Sequence, residues 1–245
     1  MNPSEKVKFI SNWIKSYVDQ MPTKAQSLVI GISGGIDSSV SSTLSAMTGL
    51  KTIVLSMPIK QKSNQHDLSL KHQNWLVEKF KNVEAHTINL DKLFETFSST
   101  LTKFDNEHGF ANSRARLRMA TLYQVAAANK GIVVGTGNKV EDFGVGFYTK
   151  YGDGGVDISP IADCNKTEVW ELGKELGILK EIIDAPPTDG LWDDGRTDEG
   201  QLGFSYKDLE DAMKNPDSPH KTEYEKIRKQ NLHKMEPIPV CKIPS

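Results

Sequence analysis

Apolar residues recur at helical spacing in the opening segment, at Val7, Ile10, Trp13, Ile14, Tyr17 and Val18, and predict an amphipathic helix over 3–20. Four short β-rich runs follow: SLVIGI (27–32), TIVLSM (52–57), VEAHTI (83–88) and GIVVG (131–135). Helical stretches separate them, one after Gly35 and others near 64–80, 91–103 and 112–130. Strands alternating with helices predict an α/β fold with a doubly wound, mostly parallel sheet. The long connection between the third and fourth runs returns the chain to the other side of the first, for an order of 3-2-1-4. Strands one and four then flank the switch point, where ligands bind at carboxyl ends.

The pattern changes beyond residue 142. GVGFYTKYGDGGVDISP is glycine-rich with little periodicity and reads as a loop shaped around a ligand, whereas CNKTEVWELGKELG is a helix closed by Gly177. The segment over about 185–205 mixes glycines, prolines and acids and reads as a mobile loop. A charged helix and proline-rich tail occupy 218–245.

Composition narrows the class. The 245 residues, 37 % hydrophobic and 25 % charged, suit one domain over 1–245. A net charge of −2 gives no electrostatic case for a nucleic-acid partner. Cys164 and Cys241 form no CxxC pair and cannot build a disulfide framework or a cysteine-rich metal site. The first residues lack an apolar signal-like region and no run approaches a membrane span, so the expectation is a cytoplasmic protein with no membrane partner.

The chemistry concentrates in GISGGIDSS (31–39), directly after the first strand. Its glycines permit a sharp turn with amides facing one concavity, and the following helix N-terminus adds unpaired donors, so the site suits a phosphate or pyrophosphate. Asp37 would repel that anion unless a divalent cation bridges them, which makes it a candidate Mg²⁺ ligand. Neither a Walker A loop nor GxGxxG fits. The topology predicts that this loop meets GTGNKVED (135–142), which is similarly rich in glycine and carries acids of its own. In NSRARLRM, Arg114 and Arg118 share one helix face and Arg116 another; a charged surface face and a functional one both remain open for the first two. Lys166 begins a helix, where a cation is unfavourable unless an anion offsets the dipole.

SGGxDS resembles the pyrophosphate loop of the ATP pyrophosphatases. Together with GTGNKVED, FYTKYGDGGVDISPIADCNKTEVWELGKELG, PPTDGL and a late HK, it is similar in order and spacing to the ammonia-dependent NAD synthetases, over roughly residues 5–240. The resemblance implies an adenine nucleotide α-hydrolase-like (Rossmann-like) fold with strand order near 3-2-1-4-5. It implies that Gly31, Ile32, Ser33, Gly34, Gly35, Ile36, Asp37 and Ser38 cradle ATP, with Thr136, Lys166 and Thr188 as further contacts. Asp37 and Glu141 match magnesium ligands. Arg116, Lys150, Asp157, His233 and Lys234 match residues that bind deamido-NAD, and Asp37, Lys166 and Asp157 form the implied catalytic set. The sequence departs from many members at Ile36, where glutamine is frequent, and at GTGN.

The implied reaction is carried out by a homodimer on ATP, deamido-NAD and ammonia. The nicotinate carboxylate attacks the α-phosphorus, pyrophosphate leaves, and ammonia converts the acyl-adenylate to NAD and AMP. The competing readings are another ATP pyrophosphatase, either a GMP-synthetase-like amidase or a tRNA-thiolating enzyme, and a regulatory module that binds ATP without turnover. Neither cysteine has a neighbouring base in sequence to make it a glutamine-cleaving nucleophile.

Overall fold

Helices and strands alternate as the apolar pattern predicts in the computed structural model, which describes residues 1–60, 63–188, 191 and 197–244. In chain order they are α1 (Pro3–Gln20), β1 (Ser27–Gly31), α2 (Ile36–Met47), β2 (Lys51–Ser56), α3 (Ser63–Lys79), β3 (Val83–Thr87), α4 (Asp91–Thr100), α5 (Glu107–Ala128) and β4 (Gly131–Val133). After a π-helical turn, Lys139–Val145, come α6 (Lys166–Leu176), α7 (Lys180–Ile183), α8 (Asp198–Leu202), α9 (Tyr206–Lys214) and α10 (Lys221–Met235).

Among the described residues the strands pair in parallel in the order β3-β2-β1-β4. The connection through α4 and α5 therefore carries β4 to the far side of β1. The expected fifth strand is not seen among the described residues; beyond β4 there is one isolated parallel bridge, Val134 to Ile158. Pro160 lies two residues beyond, and without an N–H it cannot extend the ladder.

Side chains alternate across the sheet with period two, and both faces are covered. Leu28, Ile30, Val54 and Ile132 pack towards α1, α2 and α6. Val29, Ile53, Leu55 and Val133 pack towards Phe94 of α4 and Met119 and Leu122 of α5. On α1 the buried stripe is Val7, Ile10, Ile14 and Val18, and Asn2 and Glu5 close its first turn as a capping box. Trp13 and Tyr17 lie outside that stripe, half exposed against each other with ring centroids 5.8 Å apart.

A third apolar cluster sits beyond β4, where the sequence reads as loop. Val140 and Val145 of the π-helical turn pack there against Tyr206 and Leu209 of α9 and Tyr224 of α10. The segment expected to be a mobile loop ends in α8, capped by Thr197 accepting from the Gly200 amide. Residues 189, 190 and 192–196 of that segment lie outside the described residues.

His72 of α3 is fully buried, 3.0 Å from the Ser42 hydroxyl and stacked on Trp75. Burial lowers its pKa from 6.5 to about 4. Between those values the unfolded chain takes up a proton that the folded chain refuses. This contribution is complete above pH 6.5 and is lost as pH falls towards about 4, at most about 3 kcal/mol. Urea unfolding across pH 4–7 is expected to show this slope, and His72→Gln is expected to flatten it. An unchanged slope in the variant contradicts the assignment.

Candidate active site

The carboxyl ends of β1 and β4 open into a cavity of about 220 Å³, lined by the loop after β1, by Gly135–Gly137 and by Lys166. The predicted meeting of the two loops is therefore observed. Gly34 takes φ +90°, a conformation that a side chain would strain, and this sets the turn. Gly35 is the N-cap of α2 and makes no side-chain cap bond. The loop hydroxyls hold its shape: the Ser33 amide donates to Ser38 Oγ and the Gly35 amide to Ser33 Oγ, each at 3.2 Å. Ile36 lines the cavity and also seats α2 on α6, because a Cβ on Gly173 would come within 2.6 Å of Ile36 Cδ1.

At the floor, Lys166 is 1 % exposed, and its ammonium donates to Asp37 Oδ2 at 2.5 Å and to Glu141 Oε1 at 2.8 Å. The anions demanded by a lysine at a helix start are thus supplied by two other elements. Asn138 Nδ2 donates to Asp37 Oδ1, and the Asn138 side chain also accepts from the amides of Val140 and Glu141. Tyr206, itself 1 % exposed, donates to Glu141 Oε1 at 2.5 Å and lies 3.2 Å from Asp198 Oδ2. Its ring stands 4.8 Å from the Lys166 ammonium and edge-on to Trp170.

Burial pushes both carboxyls up and Lys166 pulls both down. Glu141, which also accepts from Tyr206, ends below its ordinary value, while Asp37, facing the Glu141 charge, ends above it. Burial opposes the charge on Lys166, but the two acids outweigh it and hold the amine protonated. Two carboxylate oxygens converging on one cation are a donor set suited to Mg²⁺, with phosphate oxygens and water completing the shell. Among the described residues no group of three or more His, Cys, Asp or Glu side chains could hold a metal alone.

The remaining expected ATP contacts Ile32, Ser33, Gly35, Ser38, Thr136 and Thr188 also line the cavity, as does Gly31; Gly34 shapes the loop without lining it. Sequence reasoning missed Asn138, Asp142, Asp153, Asp198 and Tyr206. Asp142 was visible beside Glu141; burial, then Asp153 and Glu141, raise its carboxyl well above the ordinary range. Arg114 is buried, donating to the Leu191 carbonyl and lying 4.8 Å from the Phe94 ring. Arg118 lines the cavity and donates to the Met57 carbonyl. These two arginines therefore do not form a solvated face.

The residues expected to bind the second substrate gather outside the cavity lining. Exposed Arg116 donates to the Lys150 carbonyl at 3.2 Å, and Lys150 Nζ donates to the His233 carbonyl at 3.1 Å. Lys234 Nζ donates to the carbonyls of Gly146 and Tyr148. Asp157 stands along the same face of α5, accepting from Tyr123 OH at 3.0 Å and from the Val133 amide at 2.7 Å. One oxygen thus holds the β4 end and the other meets α5, which gives this expected catalytic acid a structural duty. Cys164 is buried, and burial, then Glu168, push its thiol up to about 11, an environment opposed to a nucleophilic thiolate.

The family model for NAD synthase matches residues 6–243. The chain is 38 % identical over 215 residues to the NH(3)-dependent NAD(+) synthetase of Carboxydothermus hydrogenoformans, covering 86 % of this chain and 85 % of that protein. It is 36 % identical over 236 residues to the NH(3)-dependent NAD(+) synthetase of Finegoldia magna, covering 96 % and 94 %. Among solved structures, NMN synthetase from Francisella tularensis superposes with a TM-score of 0.90 at 32 % identity, over 99 % of this chain and all of that one.

Tyr206 donates to Glu141 without being among the expected ligands, so it is expected to act as a positioning residue. Tyr206→Phe removes one donor from a buried carboxylate and is expected to cost about 1–3 kcal/mol of stability. ATP-dependent turnover is expected to fall by about 10- to 100-fold. Chemical denaturation and steady-state rates on the same preparation check both.

Proposed function

The chain belongs to the NAD synthase family, and on that footing we propose that it amidates the nicotinate carboxylate of deamido-NAD with ammonia, converting ATP to AMP and pyrophosphate. The observation that carries the reading is the buried Lys166 ammonium between Asp37 and Glu141, in the cavity that the loop after β1 also lines. A site that only held ATP would gain little from enclosing two carboxylates and a lysine, whereas separating pyrophosphate from an adenylate needs cations where charge develops.

In this reading the loop over Gly31–Ser38 and the α2 N-terminus bind the phosphates, and Thr136 and Thr188 contact the nucleotide. Asp37 and Glu141 hold Mg²⁺, which when bound screens the triphosphate and polarises it. Lys166 neutralises the departing pyrophosphate. The acceptor carboxylate is already ionised at neutral pH, so no base is needed to activate it. Arg116, Lys150, His233 and Lys234 bind the acceptor, with Asp157 and Tyr123 fixing the β4 edge beside it. Arg116, Asp157 and His233 are exposed in the single chain, and in this reading the chain acts as a homodimer whose second copy covers that region.

A second reading concerns the acceptor's length. The 0.90 superposition on an NMN synthetase favours a nicotinate mononucleotide, which carries the same carboxylate and lacks the adenylate half. The sequence relatives named above favour the dinucleotide, and we place that first.

With Mg²⁺, ATP and ammonium, the purified chain is expected to convert deamido-NAD to NAD with equimolar AMP and pyrophosphate, and with a higher kcat/KM than for the mononucleotide. The reverse preference selects the second reading; ADP as product, or no turnover with either acceptor, contradicts both. Asp37→Asn is expected to lower kcat by about two to three orders of magnitude with native circular dichroism retained.

A further inference from the structure

Lys166 sits where a metal bound by Asp37 and Glu141 would sit. Its Nζ is the point on which the two carboxylates converge, at 2.5 and 2.8 Å. Neither carboxylate depends on the lysine alone for its position, because Asn138 donates to Asp37 and Tyr206 to Glu141. Lys166 is the first residue of α6, so its backbone is fixed while a four-carbon stem allows the ammonium to move by a few ångströms.

We propose that the Lys166 ammonium and the divalent cation are alternate occupants of one seat between Asp37 and Glu141, the lysine keeping the seat until a metal–nucleotide arrives. This rests on the reading of the cavity as a metal–nucleotide site. The seat is one positive charge short of neutral with the ammonium in it and neutral with the metal. Before binding, one ammonium offsets much of the repulsion between two enclosed carboxylates. Afterwards the metal offsets both, and the displaced ammonium pairs with a phosphate oxygen in the adjoining cavity. A free metal ion brings no anion of its own, so it binds at the cost of both ammonium–carboxylate pairs. Metal and nucleotide therefore bind as a unit, each strengthening the other. The lysine's contact with phosphate becomes a consequence of its displacement.

Mn²⁺ binding, followed by electron paramagnetic resonance of the free ion, tests this without turnover. Wild type is expected to bind Mn²⁺ weakly alone and about tenfold or more tightly with α,β-methylene ATP, a size usual for coupled sites. Lys166→Met, of similar length and without charge, is expected to bind Mn²⁺ alone about tenfold more tightly than wild type, and Asp37→Asn added to it is expected to abolish the gain. Unchanged or weaker Mn²⁺ binding by a folded Lys166→Met overturns the proposal. Wild type itself gives a second readout that no folding defect can confuse: the ¹⁵Nζ resonance of Lys166. It is expected to stay in place with Mg²⁺ alone and to shift with Mg²⁺ plus the analogue; a shift with Mg²⁺ alone, or none in the ternary complex, overturns it. If wild type fails to bind the metal–analogue complex at all, the metal–nucleotide reading fails instead.

Discussion

Two largely buried carboxylates and one fully buried ammonium, set where the ends of β1 and β4 meet the start of α6, constrain everything around them. Charges so enclosed are costly to bring out of water, and the pairing recovers that cost only with well-placed partners. Removing one member leaves the others uncompensated, typically at about 3–5 kcal/mol. The three members come from residues 37, 141 and 166, so the ion cluster can form only when the sheet order, the π-helical turn and the docking of α6 are all correct. It ties the first half of the chain to the second.

The surrounding packing serves that requirement. Gly173 lets Ile36 approach closely, which seats α2 on α6 and brings Asp37 to Lys166. Asn138 joins the β4 loop to Asp37 while capping the turn that carries Glu141. Tyr206 reaches Glu141 from α9, so the third apolar cluster, with Val140 and Leu209, supports the site from behind. A cluster built of ions is also one that a better-charged ligand can rearrange, which makes it suitable for binding a metal–nucleotide.

Much of this was legible in the residues, for identifiable reasons. The β1 loop announces itself because glycines, hydroxyls and an acid directly after an apolar strand have few structural explanations. The order β3-β2-β1-β4 followed from one long connection and the rules of parallel crossovers. The lysine conflict at the start of α6 pointed to an anion, although the sequence could not say that the anions were Asp37 and Glu141. Tyr206 and Asn138 were illegible, since a tyrosine at a helix start and an asparagine after a strand are common and their partners lie far along the chain. Only the end of the π-helical turn, from Gly144, was read as loop, because glycines at 144 and 146 mask its periodicity. Among the described residues the fifth strand expected from the resemblance is not seen, and only an isolated bridge lies ahead of Pro160.

The claim on which these interpretations converge is that this ion cluster serves the cleavage of ATP between its α and β phosphates by an acceptor carboxylate. Exchange of labelled pyrophosphate into ATP measures that step in isolation, because it runs the adenylation backwards without needing the amide to form. The account predicts exchange that requires Mg²⁺ and the nicotinate acceptor, proceeds with ammonia rigorously removed, and is lost when Asp37 is replaced by asparagine. Amide formation without any acceptor-dependent exchange, or exchange that persists undiminished in that variant, would contradict it.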